Sequence, residues 1–89
     1  MQTIGVIGAG QMGTGIAQTI AQNGLKVMLS DRDLTIAQEA RDQIERALGK
    51  LVSKGKIEVA DAEASLARIT PVADLAPMAD AAMIIEAAT

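Results

Sequence analysis

The sequence contains no phenylalanine, tyrosine or tryptophan. Its core therefore has to be assembled from Ile, Leu, Val, Met and Ala, without the large flat side chains that anchor most small domains. Cysteine is also missing, which excludes disulfides and thiolate metal sites. The absence of histidine removes the commonest general acid–base near neutral pH and the commonest metal ligand. No apolar run approaches the roughly 18 residues that a membrane-crossing helix needs. The N-terminus has no basic segment ahead of its apolar residues, so no signal peptide is expected and the expected location is cytoplasmic. A net charge of −3 argues against nucleic acid as a partner.

What is present fits one small globular domain. The chain has 89 residues, 49% of them hydrophobic and 21% charged, a balance that favours a packed core over disorder. A domain of this size buries only about 60–65% of its unfolded surface, so its margin of stability is small.

The pattern along the chain alternates between short apolar runs and helical periodicity. Ile4, Val6 and Ile7 read as a buried strand that stops at Gly8. From Gln11 to Gln22, Met12, Ile16, Ala17, Ile20 and Ala21 fall at helical spacing, and Asn23-Gly24 is a stop signal. Lys26 to Ser30 is a second strand. Asp33 can cap a long helix whose stripe runs Ile36, Ala40, Ile44, Ala47, Leu48, Leu51, Val52 and ends at Lys54-Gly55-Lys56. A shorter helix covers Ala60 to Ala67, with Glu58 and Asp61 competing as its cap. Ile69 to Val72 is a third strand, and Pro71 within it suits an edge position. Asp74 to Asp80 is a loop or a single helical turn. Ala82 to Ala87 is a fourth strand. Strands separated by helices imply a parallel sheet with right-handed crossovers.

The densest signal is Gly8-Ala9-Gly10-Gln11-Met12-Gly13. A Gly-x-Gly-x-x-Gly run on its own is weak, because loops collect glycine. Here it follows a strand and opens a helix, which is the context that dinucleotide binding requires. Gly8 allows the tight turn, Gly10 lets a pyrophosphate approach the backbone, and Gly13 lets the helix pack against the strand. Gln11, Met12 and Gly13 open the helix, whose N-terminal amides and dipole favour an anion. Gly15 costs roughly 1 kcal/mol of helix propensity, which suggests close packing or ligand approach. Asp31 ends the second strand, 18 residues after Gly13, where a carboxylate accepts hydrogen bonds from the adenosine ribose and repels a 2′-phosphate. NAD is therefore expected rather than NADP, although Arg32 beside it could accept a phosphate. The plain alternative is that Asp31 and Asp33 are only a loop residue and a helix cap. The expected architecture is α/β: a partial Rossmann fold, with about four parallel strands in order 3-2-1-4 and helices on both faces.

GVIGAGQMGTGIA, VMLSD, LVSKGKI, LARITPVADL and MIIEAA together resemble the N-terminal domain of the bacterial 3-hydroxyacyl-CoA dehydrogenases, the 3-hydroxybutyryl-CoA type included. The likeness covers essentially all 89 residues. Between Ser30 and Ile69 the chain spends 38 residues (31 through 68), matching the family's extended helical excursion. The resemblance implies hydride transfer between (S)-3-hydroxyacyl-CoA and NAD in fatty-acid or butanoate metabolism. It implies NAD contacts at Gly8, Gly10, Gln11, Met12, Gly13 and Asp31, with Glu86, Ala87 and Ala88 along the cofactor. Ser53 and Lys54, at the end of the long helix, match positions near the CoA moiety. Arg46, Lys50 and Lys54 form a basic stripe there, and such stripes near a helix C-terminus are commonly just solvated.

The family's catalytic His–Glu pair and its dimerising helical domain come later in the chain, so no catalytic residue is assigned here. Residues 1–89 are expected to be the NAD-binding part of a longer, homodimeric enzyme, inactive alone. Glu39, Glu45 and Glu63 read as surface carboxylates. Three other readings stay open. The chain could be a non-catalytic nucleotide-binding or assembly module that self-associates through strand 82–87, whose edge is apolar. It could belong to a 3-hydroxyisobutyrate-type dehydrogenase, which shares part of the glycine run. A FAD-binding half is disfavoured by the long helix.

Overall fold

A computed structural model describes residues 2–87. In chain order the elements are β1 (Thr3–Ile7), α1 (Gln11–Gln22), β2 (Lys26–Ser30), α2 (Leu34–Ser53), α3 (Val59–Ala67), β3 (Ile69–Val72), a 3-10 helix (Ala76–Asp80) and β4 (Met83–Glu86). The four strands form one parallel sheet in the order β3-β2-β1-β4, as expected.

Each boundary has a local cause. Asp33 caps α2 by accepting the Thr35 N–H at 2.9 Å. The other end of α2 closes on Gly55 at φ 72°, with Gly55 N–H donating to Val52 O and Lys56 N–H to Leu51 O, both at 2.9 Å. That double bond pattern satisfies carbonyls the helix leaves open. At α3 the two candidate caps cooperate instead of competing. Glu58 accepts the third backbone N–H of the helix, and Asp61 Oδ2 accepts the Glu58 N–H at 3.2 Å. Pro71 lies in edge strand β3, where its missing donor is tolerated.

The sheet is covered unequally. Val6, Val27, Leu29 and Ile69 point to one face and join Ala17 and Ala21 of α1 and Ala37, Ala40, Ile44 and Leu48 of α2 in the core. Four of those helix residues are alanines at 2% exposure or less, so the helices lie close on the sheet. The other face carries no α-helix among the described residues. There the 3-10 helix places Met78, 1% exposed, over Gly5; a Cβ on Gly5 would stand 2.9 Å from the Met78 sulfur. Helices thus flank both faces, but the second is a short one. In α2 the buried stripe keeps Ala40, Ile44 and Leu48 of the sequence reading but begins at Ala37, and Ile36 is exposed. Met12 of α1 is likewise exposed.

Two arginines pin the layers together. Arg41 of α2 donates through Nε to Ile69 O and through Nη2 to Leu66 O, each at 3.2 Å. Arg68 donates through Nη1 to Ala21 O at 2.8 Å, placing a cation on the carbonyl end of α1. These contacts span 25 to 47 residues of sequence. Among the described residues, no helix is long and apolar enough to cross a membrane.

Candidate functional site

The turn between β1 and α1 is set by main-chain bonds. Gly8 takes φ 101°, a region that side chains rarely allow, and its N–H donates to Ser30 O at 2.8 Å. Buried Ala9 follows, with its N–H donating to Asp31 Oδ2 at 3.1 Å. Gly10 is the N-cap of α1; no side chain caps this end and its first turn has no acidic residue. Thr14 N–H donates to Gly10 O at 2.9 Å. The amides of Gln11, Met12 and Gly13 precede that bond and have no partner within the helix. Together with the helix dipole they make an anion-binding end.

The two downstream glycines are glycines for different reasons. A Cβ on Gly10 would meet nothing within 4 Å, so the backbone there lies open to a ligand. A Cβ on Gly13 would fall on the carbonyl oxygen of Gly8, so α1 can seat against the turn only without it. The same hypothetical atom stands 3.5 Å from the Ala87 Cβ, and Ala87 N–H donates to Ile7 O at 2.8 Å. The end of β4 therefore closes on the glycine turn. Glu86 pairs with Ile7 in the sheet and is exposed. Ala88 lies outside the described residues. Gly15 has open space around it, which removes close packing as the reason for it.

A cleft of about 370 Å³ opens beside the turn, lined by Ile7, Gly8, Ser30, Asp31, Arg32, Ala73 and Leu75. It lies at the carboxyl ends of β1, β2 and β3, the place where open parallel sheets bind ligands. The sequence reading missed Ala73 and Leu75; their position just past the end of β3 was the available signal. A larger cavity of about 530 Å³ lies at the opposite ends of the strands, lined by Gln22, Asn23, Gly24, Ile57, Asp61, Ala64, Ser65 and Arg68. Its Arg68 and Asp61 are already engaged in holding helix ends, so size alone does not make it the site.

Ser53 and Lys54 are not brought to this cleft. Both are exposed at the far end of α2, about 30 Å of helix away from Asp33 at 1.5 Å per residue. Ser53 Oγ donates back to Gly49 O at 3.1 Å. Arg46 and Lys50 are exposed on the same helix, as are Glu39 and Glu45, with Glu63 exposed on α3. The described residues contain no cluster of acidic side chains fit to hold a metal ion.

Strand, glycine turn, helix, strand and terminal carboxylate define a dinucleotide-binding unit of a doubly wound α/β fold. The family model described as 3-hydroxyacyl-CoA dehydrogenase, NAD binding domain, matches residues 3–89, and the chain belongs to this family as an NAD-binding domain. It is 46% identical over 83 residues to a probable 3-hydroxybutyryl-CoA dehydrogenase of Deinococcus radiodurans, covering 93% of this chain and 30% of that protein. It is 39% identical over 89 residues to the 3-hydroxyadipyl-CoA dehydrogenase of Escherichia coli K12, covering 100% of this chain and 19% of that protein. The crystal structure of (S)-3-hydroxybutyryl-CoA dehydrogenase from Ralstonia eutropha superimposes with a TM-score of 0.95 at 36% identity, over 100% of this chain and 31% of that one. The chain thus spans less than a third of the length of the proteins it matches.

Proposed function

We propose that the glycine turn and the adjoining cleft hold NAD for an oxidoreductase that interconverts (S)-3-hydroxyacyl-CoA and 3-oxoacyl-CoA. The observation that carries this reading is an open Gly10 backbone next to Ala9, whose N–H is held by the Asp31 carboxylate that lines the adjoining cleft. The donor set fits the cofactor: the free amides of Gln11, Met12 and Gly13 suit a pyrophosphate, and the space above Gly10 is what a side chain would fill.

Asp31 takes the adenosine ribose hydroxyls, and Arg32, Ala73 and Leu75 border the adenine. Glu86 and Ala87 line the nicotinamide side, as the family resemblance implies. When bound there, the cofactor would supply the hydride acceptor or donor, and this chain would bind and orient it. No proton-transfer role is assigned within residues 1–89, which form the NAD-binding domain of the reading. Ser53 and Lys54 contact the CoA portion of the acyl-CoA substrate, and the whole enzyme is a homodimer; both assignments rest on the family resemblance.

Titration with NADH, followed through nicotinamide fluorescence, tests the reading. NADH should bind and NADPH should bind at least tenfold more weakly, because the Asp31 carboxylate faces the 2′-position. Unchanged NADH affinity in Asp31→Ala would remove the ribose assignment.

A second reading, self-assembly through β4, has its own observation. Met83 and Ile84, on opposite faces of this edge strand, are 58% and 51% exposed. An apolar edge with unpaired backbone groups invites a second strand.

A further inference from the structure

The backbone donors of the turn can be accounted for one at a time. Gly8 N–H goes to Ser30 O, Ala9 N–H to Asp31 Oδ2, and Thr14 N–H to Gly10 O. Gly10, Gln11, Met12 and Gly13 remain. Ala9 is 6% exposed, so its N–H has little access to water and depends on a protein partner. That partner comes from the next strand, 22 residues on, through a half-buried carboxylate. The second oxygen, Oδ1, accepts no hydrogen bond among the described residues.

We propose that Asp31 is a positioning residue for the glycine turn: Oδ2 holds the Ala9 amide, fixes the turn before ligand arrives, and leaves Oδ1 for the ribose. The division of the carboxylate decides which amides face the pyrophosphate. If Ala9 were released, its N–H could swing toward the anion and the turn would be free to re-form around it. With Ala9 held, the pyrophosphate meets only the helix-end amides. One side chain thereby links the ribose subsite to the geometry of the phosphate subsite. The link to pyrophosphate and ribose rests on the NAD-binding reading above; the Ala9–Asp31 bond itself does not.

Amide NMR on the free chain separates the two. The Ala9 amide proton should move upfield in Asp31→Ala, which removes its acceptor oxygen. Its hydrogen exchange should be slow in the wild type, nearly as slow in Asp31→Asn, which keeps an acceptor oxygen, and at least about tenfold faster in Asp31→Ala. An Ala9 amide that keeps its chemical shift in Asp31→Ala and exchanges equally in all three proteins overturns the positioning role.

NADH is then added to the wild type. Signals of Gln11, Met12 and Gly13 should move while Ala9 keeps its slow exchange. Loss of Ala9 protection on binding overturns the division of labour. If NADH moves no signal, the NAD-binding reading fails, and the exchange rates of the free proteins still decide the Ala9–Asp31 contact.

Discussion

The Cβ that Gly13 lacks would occupy the position of the Gly8 carbonyl oxygen. The turn and the first helical turn are thus in backbone contact, and neither partner has a flexible end that can yield. Gly13→Ala is expected to destabilise the protein by about 3 kcal/mol, the upper range for overpacking, because α1 must lift from the sheet. Urea unfolding followed by circular dichroism measures this. A midpoint equal to that of the wild type would contradict the packing role.

Gly10→Ala separates binding from stability. Its Cβ would meet nothing, and its φ of −76° and ψ of −166° suit any residue. Stability should stay within about 0.5 kcal/mol of wild type. NADH affinity should nevertheless fall by about tenfold or more, since the new methyl stands where the pyrophosphate approaches. Equal affinity would show that the cofactor passes elsewhere.

Gly15→Ala has the opposite expectation. The site is exposed and mid-helix, so alanine should stabilise α1 by about 0.5–1 kcal/mol. Thermal unfolding checks the sign. A loss of stability would point to a close neighbour that the structure does not contain.

Arg68→Ala should cost about 1–2 kcal/mol by leaving the Ala21 carbonyl at the end of α1 without its donor. Binding of NADH should be unaffected, because the residue lies at the other ends of the strands from the glycine turn. A matching loss of affinity would show that the two ends are coupled.

Self-association through β4 predicts a sedimentation coefficient that rises with protein concentration. Ile84→Lys places a charge on the exposed strand and should hold the protein monomeric. A wild type that is already monomeric at high concentration removes the assembly reading.

The parts of this structure that were legible in the sequence are those written in local signals. Gly8, Gly10 and Gly13 sit between a strand and a helix, Asp33 caps α2, and Pro71 marks an edge; each depends on a few neighbouring residues. Strand order follows once the glycine turn and Asp31 mark a doubly wound dinucleotide-binding unit. Contacts that close over long sequence distances were not legible. Arg68 looks like any surface arginine until α1 and α3 are packed, and Arg41 until β3 lies beside α2. Met78 reads as part of a loop or a single helical turn, and that reading does not show that it closes the second face of the sheet over Gly5. In the site, Asp31 was visible as a ribose acceptor by its position after β2. Its bond to Ala9 depends on the turn folding back over the end of that strand, which spacing does not specify. Periodicity placed Ala40, Ile44 and Leu48 of α2 but not its first buried residue, because Ile36 and Ala37 are both apolar and packing selects the smaller one.

The central claim is that the cofactor lies across the turn between β1 and α1. A map of backbone amide shifts on adding NADH tests it most directly. The account predicts the largest changes at Gly10, Gln11, Met12 and Gly13, then at Asp31, Arg32 and Ala87, with Gln22, Ser65 and Arg68 unmoved. Changes centred on Gln22, Ser65 and Arg68, or no changes at saturating NADH, would contradict it.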